Sequence, residues 1–375
     1  MTNPFHYGEV VKGTDFADRE SELKSLVSEL SGHIRIFMMS PRRYGKTSLI
    51  TRALDEIKSK GQLTVYVDLF RASSVDELVD IYAKSIFASV EGGVEKTIRF
   101  IKEMLPSLSP EVTIDEEGKP SFSLGLRHGK KRTMEEIFDL PERIAKKRGQ
   151  HMVVALDEFQ EIAELGGTRL EKMLRSYIQT HQSTSYLFAG SKRHILTEMV
   201  TNRGRAFYNM GKMMALGKIP ENLFCFYILE KFRQTGYKTD TPTVLAILRE
   251  TDNVPNNVQM LCHELWELCS DRKVVETKDI KAGIESLVKT RSALYSAAWD
   301  SLSLHQRRLL KAVALEGEVQ APTASDFIRR YNLAAPTSVQ RSVERLIERD
   351  ILDKQETGLV FTDTFMKYWI RLKIA

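Results

Sequence analysis

The fold of this chain is constrained most by a short apolar run that leads directly into a loop of small and basic residues. Residues 34–39 have the length of a buried strand, the loop runs from Ser40 to Ser48, and an amphipathic helical pattern continues to about residue 59. The loop ends in Gly45, Lys46 and Thr47. This order of strand, loop and helix fits the phosphate-binding pattern G-x-x-x-x-G-K-[ST], except that Ser40 stands at the first glycine.

The loop predicts a nucleotide site because its backbone N–H groups, and those at the start of the helix, point at phosphates and carry partial positive charge. Lys46 would place a cation on the β- and γ-phosphates, and Thr47 would offer its hydroxyl to Mg²⁺. We expect ATP or ADP with Mg²⁺, bound along Ser40, Pro41, Arg42, Arg43, Tyr44, Gly45, Lys46, Thr47 and Ser48. The alternative is a chance match to a short motif, and Ser40 leaves open whether the first turn needs the conformational freedom of glycine.

A second apolar strand, over residues 152–156, ends in two carboxylates, Asp157 and Glu158. At the end of a central parallel strand, Asp157 can hold the magnesium shell, and Glu158 can orient or deprotonate the attacking water. A solvated acidic turn after a strand is the alternative, but it is less expected beside a phosphate-binding loop. The two carboxylates are therefore predicted to act in ATP hydrolysis.

A third polar position follows the strand at residues 185–189, where Ser191 comes directly after Gly190. Parallel sheets bind ligands beyond the carboxyl ends of their strands, so Ser191 could sense the γ-phosphate or position water. Arg193, Arg203 and Arg205 are candidates for stabilising charge in the same chain or in a neighbouring subunit. The alternative for each arginine is an ordinary surface position.

Alternating strands and helices over residues 1–219 predict an α/β domain with a parallel sheet covered by helices on both faces. Prolines and glycines interrupt residues 106–133, which predicts an inserted loop or hairpin. Residues 220–297 are helical in pattern and predict an all-α lid. Residues 298–375 show helical segments at 305–315, 323–331 and 338–350 and short strands at 351–353 and 358–361, the order of a winged helix.

Composition excludes several classes of protein. The 375 residues carry a mild net charge of +5, and the three cysteines fit neither a zinc site nor a disulfide framework. The sequence shows no signal peptide and no apolar run long enough to cross a bilayer, so we expect a cytoplasmic protein with no membrane contact.

The last helical segment of the predicted winged helix carries Arg341, Arg345 and Arg349 at four-residue spacing. Such a stripe suits phosphate contacts along double-stranded DNA. It could equally be a solvated face, in which Glu344 and Glu348 neutralise the arginines. Because basic and acidic residues are nearly balanced in this region, DNA and a protein partner both remain open.

The chain resembles the AAA+ ATPases of the archaeal-ATPase group, close to the signal-transduction ATPases and more distantly to origin-recognition initiators. The segments that carry the resemblance are residues 16–23, 40–48, 156–160, 186–191, 205–208, 253–259 and 361–369. The resemblance implies a P-loop NTPase sheet of AAA+ type, a helical lid and a C-terminal winged helix.

The resemblance also implies roles for particular residues. Val10, Val11, Phe16 and Arg19 would pack around the adenine, and Pro255 of the lid would approach the base or the phosphates. Asp157 would hold magnesium, Glu158 would activate water and Ser191 would be the first sensor. Apart from the resemblance, the positions of Lys46, Arg193 and Arg205 make them further candidates for acting in hydrolysis. The expected function is a nucleotide-dependent switch, with homo-oligomers possible. The alternatives are a DNA-binding module or scaffold with structurally held nucleotide, and a small-molecule kinase.

Overall fold

A computed structural model describes residues 2–8, 19–90, 99, 103–104, 108–114, 120–126, 134–355 and 358–374. The chain forms two compact units. One consists of Arg19–Pro41 and Lys46–Gly217, and the other of Met1–Asp18, Arg42–Gly45 and Lys218–Ala375. The first is called the sheet unit and the second the helical unit.

The sheet unit is an α/β structure whose parallel strands alternate with helices. Its elements are α1 (Glu20–Ser31), β1 (Ile36–Met39), α2 (Lys46–Ser59), β2 (Leu63–Asp68), α3 (Val75–Ala88), β3 (Leu108–Ile114), β4 (Pro120–Leu126), α4 (Met134–Phe138), α5 (Leu140–Arg148), β5 (Met152–Asp157), α6 (Glu161–Leu165), α7 (Gly167–Ile178), β6 (Thr184–Gly190), α8 (Arg193–Thr201) and β7 (Lys212–Ala215).

The main sheet, among the described residues, has the strand order β2-β5-β6-β1-β7, and every neighbouring pair is parallel. β5 and β6 are buried along their whole length, as expected for central strands covered on both faces. The carboxyl ends of β1, β2, β5 and β6 therefore lie at one edge of the sheet. β3 and β4 form a separate antiparallel pair.

Aromatic side chains form the part of the core next to this edge. Phe188 of β6 lies between Phe37 of β1 and Phe159, with ring centroids 4.5 and 4.6 Å away, and all three are fully buried. Phe159 follows Glu158 directly, and its backbone N–H donates to the carbonyl of Ala189 at 2.8 Å. The core thus fixes the turn that carries the acidic pair against the end of β6.

The helical unit is all-α up to residue 300: α9 (Glu221–Gln234), α10 (Thr241–Glu250), α11 (Pro255–Leu268), α12 (Thr277–Thr290) and α13 (Ser292–Asp300). The N-terminal segment belongs to this unit. Phe5 is buried there against Phe232, with ring centroids 4.7 Å apart, and its carbonyl lies 2.8 Å from Nδ1 of His263.

The end of the helical unit is a winged helix: α14 (Leu304–Glu316), α15 (Ser325–Arg330), α16 (Pro336–Glu348), β8 (Leu352–Lys354), β9 (Leu359–Phe361) and α17 (Thr364–Ile374). β8 and β9 pair antiparallel and form the wing. α16 buries Val339, Val343 and Leu346 at helical spacing, which leaves its other faces to solvent.

The predicted fold class is confirmed: a parallel α/β sheet, an all-helical segment and a C-terminal winged helix. No helix in the described part of the chain is long and apolar enough to cross a membrane.

Candidate nucleotide-binding site

The candidate phosphate-binding loop has Ser40 at the position where the motif has glycine. Ser40 is fully buried after β1, its backbone N–H donates to the Gly190 carbonyl at 3.2 Å, and its hydroxyl donates to the Pro41 carbonyl at 3.0 Å. The left-handed backbone conformations of the loop fall on Arg43, with φ 69°, and on Gly45, with φ 83°. Glycine is therefore needed at position 45 and not at position 40, which answers the question left open by the sequence.

Lys46 begins α2 and lies between the two carboxylates at the end of β5, Asp157 and Glu158. Its ammonium is 2.5 Å from Asp157 Oδ1 and 2.5 Å from Glu158 Oε1. Lys46 and Asp157 are buried, and the Glu158 side chain is one-fifth exposed. The cation and both acidic groups predicted from separate parts of the sequence thus meet in one cluster.

The residues predicted to hold magnesium are also together. The Thr47 hydroxyl donates to Asp157 Oδ2 at 2.9 Å, so two hard oxygen ligands lie side by side. Mg²⁺ prefers one or two protein oxygens and takes its remaining ligands from phosphates and water. Thr47 and Asp157 therefore fit the ion that this kind of loop implies.

Tyr66 is a residue at this site that the sequence did not single out. It lies on β2, beside β5, and its hydroxyl donates to Asp157 Oδ2 at 2.9 Å. Burial, and then the charge of Asp157, raises the pKa of Tyr66 far above its ordinary value, so the hydroxyl remains a donor. Tyr66 and Thr47 together orient the Asp157 carboxylate.

Glu158 is held from three sides. Lys46 binds its Oε1, while its Oε2 accepts from the Ser191 hydroxyl at 2.7 Å and from Nε2 of Gln160 at 2.5 Å. Burial by itself would raise the pKa of Glu158, but the Lys46 charge and these hydrogen bonds outweigh it and lower the pKa to about 2. The carboxylate is therefore ionised at neutral pH.

The tip of the loop makes its contacts inside the helical unit. Arg42 forms an ion pair with Asp350 at 2.6 Å, and Arg43 forms one with Asp363 at 3.2 Å. Both aspartates belong to the winged helix, where they follow α16 and β9. Arg43 also donates to the Thr362 carbonyl at 3.2 Å.

Further contacts tie the same tip to this unit. The buried Tyr44 hydroxyl accepts from the Gln355 amide in the wing at 3.3 Å, and the Arg43 carbonyl accepts from the backbone N–H of Asn256 at 3.3 Å. Asn256 is the residue after Pro255, which begins α11. No local sequence pattern predicts these contacts, because they join segments more than 200 residues apart.

Three further residues predicted for the site, Arg19, Pro41 and Ser48, belong to the described part of the chain. Arg19 is buried before α1, donates to the Gly217 carbonyl at 2.7 Å and pairs with Glu22. Ser48 is buried in α2, and Pro41 is partly exposed. Val10, Val11 and Phe16 lie outside the described residues, so the adenine contacts stay a prediction.

The predicted charge-stabilising arginines lie beyond β6. Arg193 begins α8 and is partly buried, and Arg203 is exposed. Arg205 forms a bidentate ion pair with the fully buried Glu171. It forms a second ion pair with Glu198 at 2.9 Å. Those partners explain the position of Arg205 structurally, and a catalytic role for it stays a prediction.

Comparisons with known proteins agree with this fold. A model of ATPase domains predominantly from Archaea matches residues 16–261, and a model of probable winged helix domains matches residues 293–372. No curated protein matches the sequence.

Solved structures share the fold at low sequence identity. A Walker-type ATPase of Pyrococcus abyssi superposes with a TM-score of 0.68 at 16% identity, over 98% of this chain and 99% of that one. The Aeropyrum pernix ORC2 protein, solved with ADPNP and ADP, gives 0.57 at 14% identity over 99% and 98%. The Aeropyrum pernix ORC1 protein, solved with DNA, gives 0.50 at 13% identity over 96% and 93%. With two thirds of its length matched by one family model, the chain belongs to the family of ATPase domains found predominantly in Archaea.

Proposed function

We propose that the protein binds ATP with Mg²⁺ on the loop from Ser40 to Ser48, hydrolyses it, and uses the nucleotide to control its winged helix. Membership of the ATPase family supports nucleotide chemistry. The cluster of Lys46, Asp157 and Glu158 supports hydrolysis, because it combines a phosphate-binding cation with a metal-binding and a water-activating carboxylate.

The side chains of this cluster can each take a defined part in ATP hydrolysis. Phosphates of ATP would draw the Lys46 ammonium away from the acidic pair, since its flexible stem lets it follow the larger charge. Thr47 and Asp157 would hold Mg²⁺, which neutralises phosphate charge when bound. Oε1 of Glu158, released from Lys46, could then accept a proton from the attacking water, while Ser191 keeps Oε2 in place.

Two ion pairs at the tip of the loop support the proposal that nucleotide controls the winged helix. Arg42 and Arg43 bind aspartates of the winged helix at 2.6 and 3.2 Å, yet they belong to the loop on which phosphates would bind. Guanidinium groups bind carboxylates and phosphates with the same geometry. A bound nucleotide would compete with Asp350 and Asp363 and loosen their hold on the loop.

The switch is tested by hydrogen exchange over residues 350–369, with and without ATP. We expect ATP to increase exchange in the wild type, and Arg43→Ala to increase it by about tenfold without nucleotide, because charge-assisted bonds of this kind contribute roughly 1.5–3 kcal/mol. Arg329→Ala is the matched control, since it removes an exposed ion pair with Asp326 in the same domain. Exchange that responds to neither ATP nor Arg43→Ala would exclude the switch and favour structurally held nucleotide.

DNA is the partner that one observation favours. Arg341 and Arg345 are exposed on α16, and neither forms an ion pair with any residue that the structure describes, so the predicted neutralisation by Glu344 and Glu348 is not seen. The side-chain amide of Gln340 donates a hydrogen bond to the Glu344 carboxylate instead, at 2.9 Å. Arg349 is held by Ser301 and is not part of this free pair. The Aeropyrum pernix ORC1 protein, which shares the fold, was solved in complex with DNA.

We expect the double variant Arg341→Ala/Arg345→Ala to weaken binding to duplex DNA and to lower the slope of log affinity against log salt by about 2, one for each lost phosphate contact. Fluorescence anisotropy over a salt series measures both. Arg329→Ala serves as the control again, because its guanidinium already has a carboxylate partner. An unchanged slope would assign the winged helix to a protein partner.

Arg193 and Arg203 remain candidates for acting on ATP in the same chain or in a neighbouring subunit. We propose a homo-oligomer only in that connection, because arginines that complete a site in trans require a second copy.

A further inference from the structure

Gln160 is a fully buried amide beside the acidic pair. It lies two residues after Glu158, just before α6, and none of its surface is exposed. Its Nε2 donates to Glu158 Oε2 at 2.5 Å, and more weakly to Glu161 at 3.4 Å. Its Oε1 has no hydrogen-bond partner in the described part of the chain. Burying an unpartnered oxygen is unfavourable, and an apolar side chain of the same size would avoid it.

The end of β6 is shaped to admit this amide. A Cβ added to Gly190 would lie 2.2 Å from Gln160 Oε1, too close for any other residue at position 190 without displacing the side chain. The backbone of Gly190 itself is not left-handed, so space and not conformation is what position 190 requires. Gly190 directly precedes Ser191, the second residue that binds Glu158 Oε2.

The two oxygens of the Glu158 carboxylate have different kinds of partner: those of Oε2 would stay in place when ATP binds, and that of Oε1 would leave. Oε2 accepts from Gln160 Nε2, from the Ser191 hydroxyl at 2.7 Å and from the Ser191 backbone N–H at 3.3 Å. Oε1 is bound by Lys46, a group that phosphates would draw away. When Lys46 moves, Oε1 alone becomes free, and the orientation of its lone pairs depends on what holds Oε2.

The backbone conformation of Glu158 is a second reason why its carboxylate needs partners that hold it in place. Its φ of 52° is left-handed, which is unfavourable for a residue with a side chain and persists where surrounding contacts enforce it. The Phe159 N–H bond to Ala189 anchors the next residue, but this bond does not fix the carboxylate plane. Among the described residues, Gln160 and Ser191 supply the hydrogen bonds that hold Oε2.

We propose that Gln160 is a positioning residue for ATP hydrolysis: its amide holds Glu158 Oε2 so that Oε1 faces the attacking water once Lys46 has moved to the phosphates. The inference rests on the proposed function. It assigns a role to the buried amide, for which the missing Cβ of Gly190 leaves room.

The experiment replaces Gln160 by Met, which has nearly the same length and volume but no donor. We expect kcat for ATP to fall about 10- to 100-fold with KM changed less than about twofold, because misplacing a catalytic group slows the reaction without loosening the substrate. The melting temperature should not fall, since Met removes an unpartnered buried oxygen. In a Glu158→Gln background, Gln160→Met should cause no further loss, because the carboxylate that it positions is already gone.

Several outcomes would overturn this inference. An unchanged or raised kcat in Gln160→Met would show that the amide does not position Glu158 or holds it back. An equal loss in the Glu158→Gln background would show that Gln160 acts independently of Glu158. A wild type that binds ATP without hydrolysing it would remove the proposed function and this inference together, whereas an active wild type with an unaffected Gln160→Met removes the inference alone.

Discussion

Replacing Glu158 by Gln should leave ATP bound while hydrolysis falls by about 10²–10⁴-fold, the usual contribution of a general base. The amide keeps the size of the carboxylate and can still accept from Ser191 and Gln160, so the site keeps its shape. What is lost is the basic oxygen that Lys46 would uncover. Because Lys46 also loses one of its two carboxylate partners, affinity for ATP should hold or increase.

The measurement is steady-state phosphate release beside equilibrium binding of a fluorescent ATP analogue. Glu164→Gln is the matched control, since it removes a nearby carboxylate that is mostly exposed and pairs with Lys192 instead. Turnover that is equal in Glu158→Gln and wild type would show that another group activates water, or that hydrolysis does not use this cluster.

The parts of the site that the sequence predicted share one property: each lies at or after the end of a buried strand. Asp157 ends β5, and Lys46 and Ser191 come after β1 and β6. A parallel sheet brings the ends of such strands to one edge, whatever lies between them in the sequence. Periodicity and motif spacing are enough to find such residues. The strand order and the distances could not be obtained in that way.

Other features depend on contacts that no local pattern encodes. The sequence did not predict β7, because Lys212–Ala215 is only four residues long and mostly exposed, so it lacks the apolar run of an inner strand. It pairs with β1 at the edge of the sheet. Tyr66 and Gln160 were not predicted because an alternating strand and a turn give no sign of which polar group points into a site.

The contacts of Arg42 and Arg43 show the same limit over a longer range. In the sequence they were interior residues of a phosphate-binding motif, so only phosphate contacts were expected. The structure gives them Asp350 and Asp363, about 300 residues away, in a domain predicted for DNA or protein binding. Only the fold brings the loop and these aspartates together.

Replacing Lys46 by Ala should have two large effects that share one cause. ATP affinity should fall by about 100-fold or more, since the loop loses the cation for the β- and γ-phosphates. The protein should also become less stable without nucleotide, because Asp157 and Glu158 would keep two negative charges in a mostly buried cluster with no cation. Removing one partner of a buried ion pair typically costs about 3–5 kcal/mol, and the partial exposure of Glu158 should reduce that here.

Thermal unfolding with and without ATP and Mg²⁺ measures both effects, because a ligand that binds only the folded state raises the melting temperature. ATP should raise the melting temperature of the wild type. Lys46→Ala should have a lower melting temperature than wild type, and ATP should not change it. Lys46→Arg is the matched control: it keeps the charge between Asp157 and Glu158, so most of the stability should return. If Lys46→Ala were as stable as wild type and still raised its melting temperature with ATP, neither the acidic pair nor the phosphates would depend on this lysine.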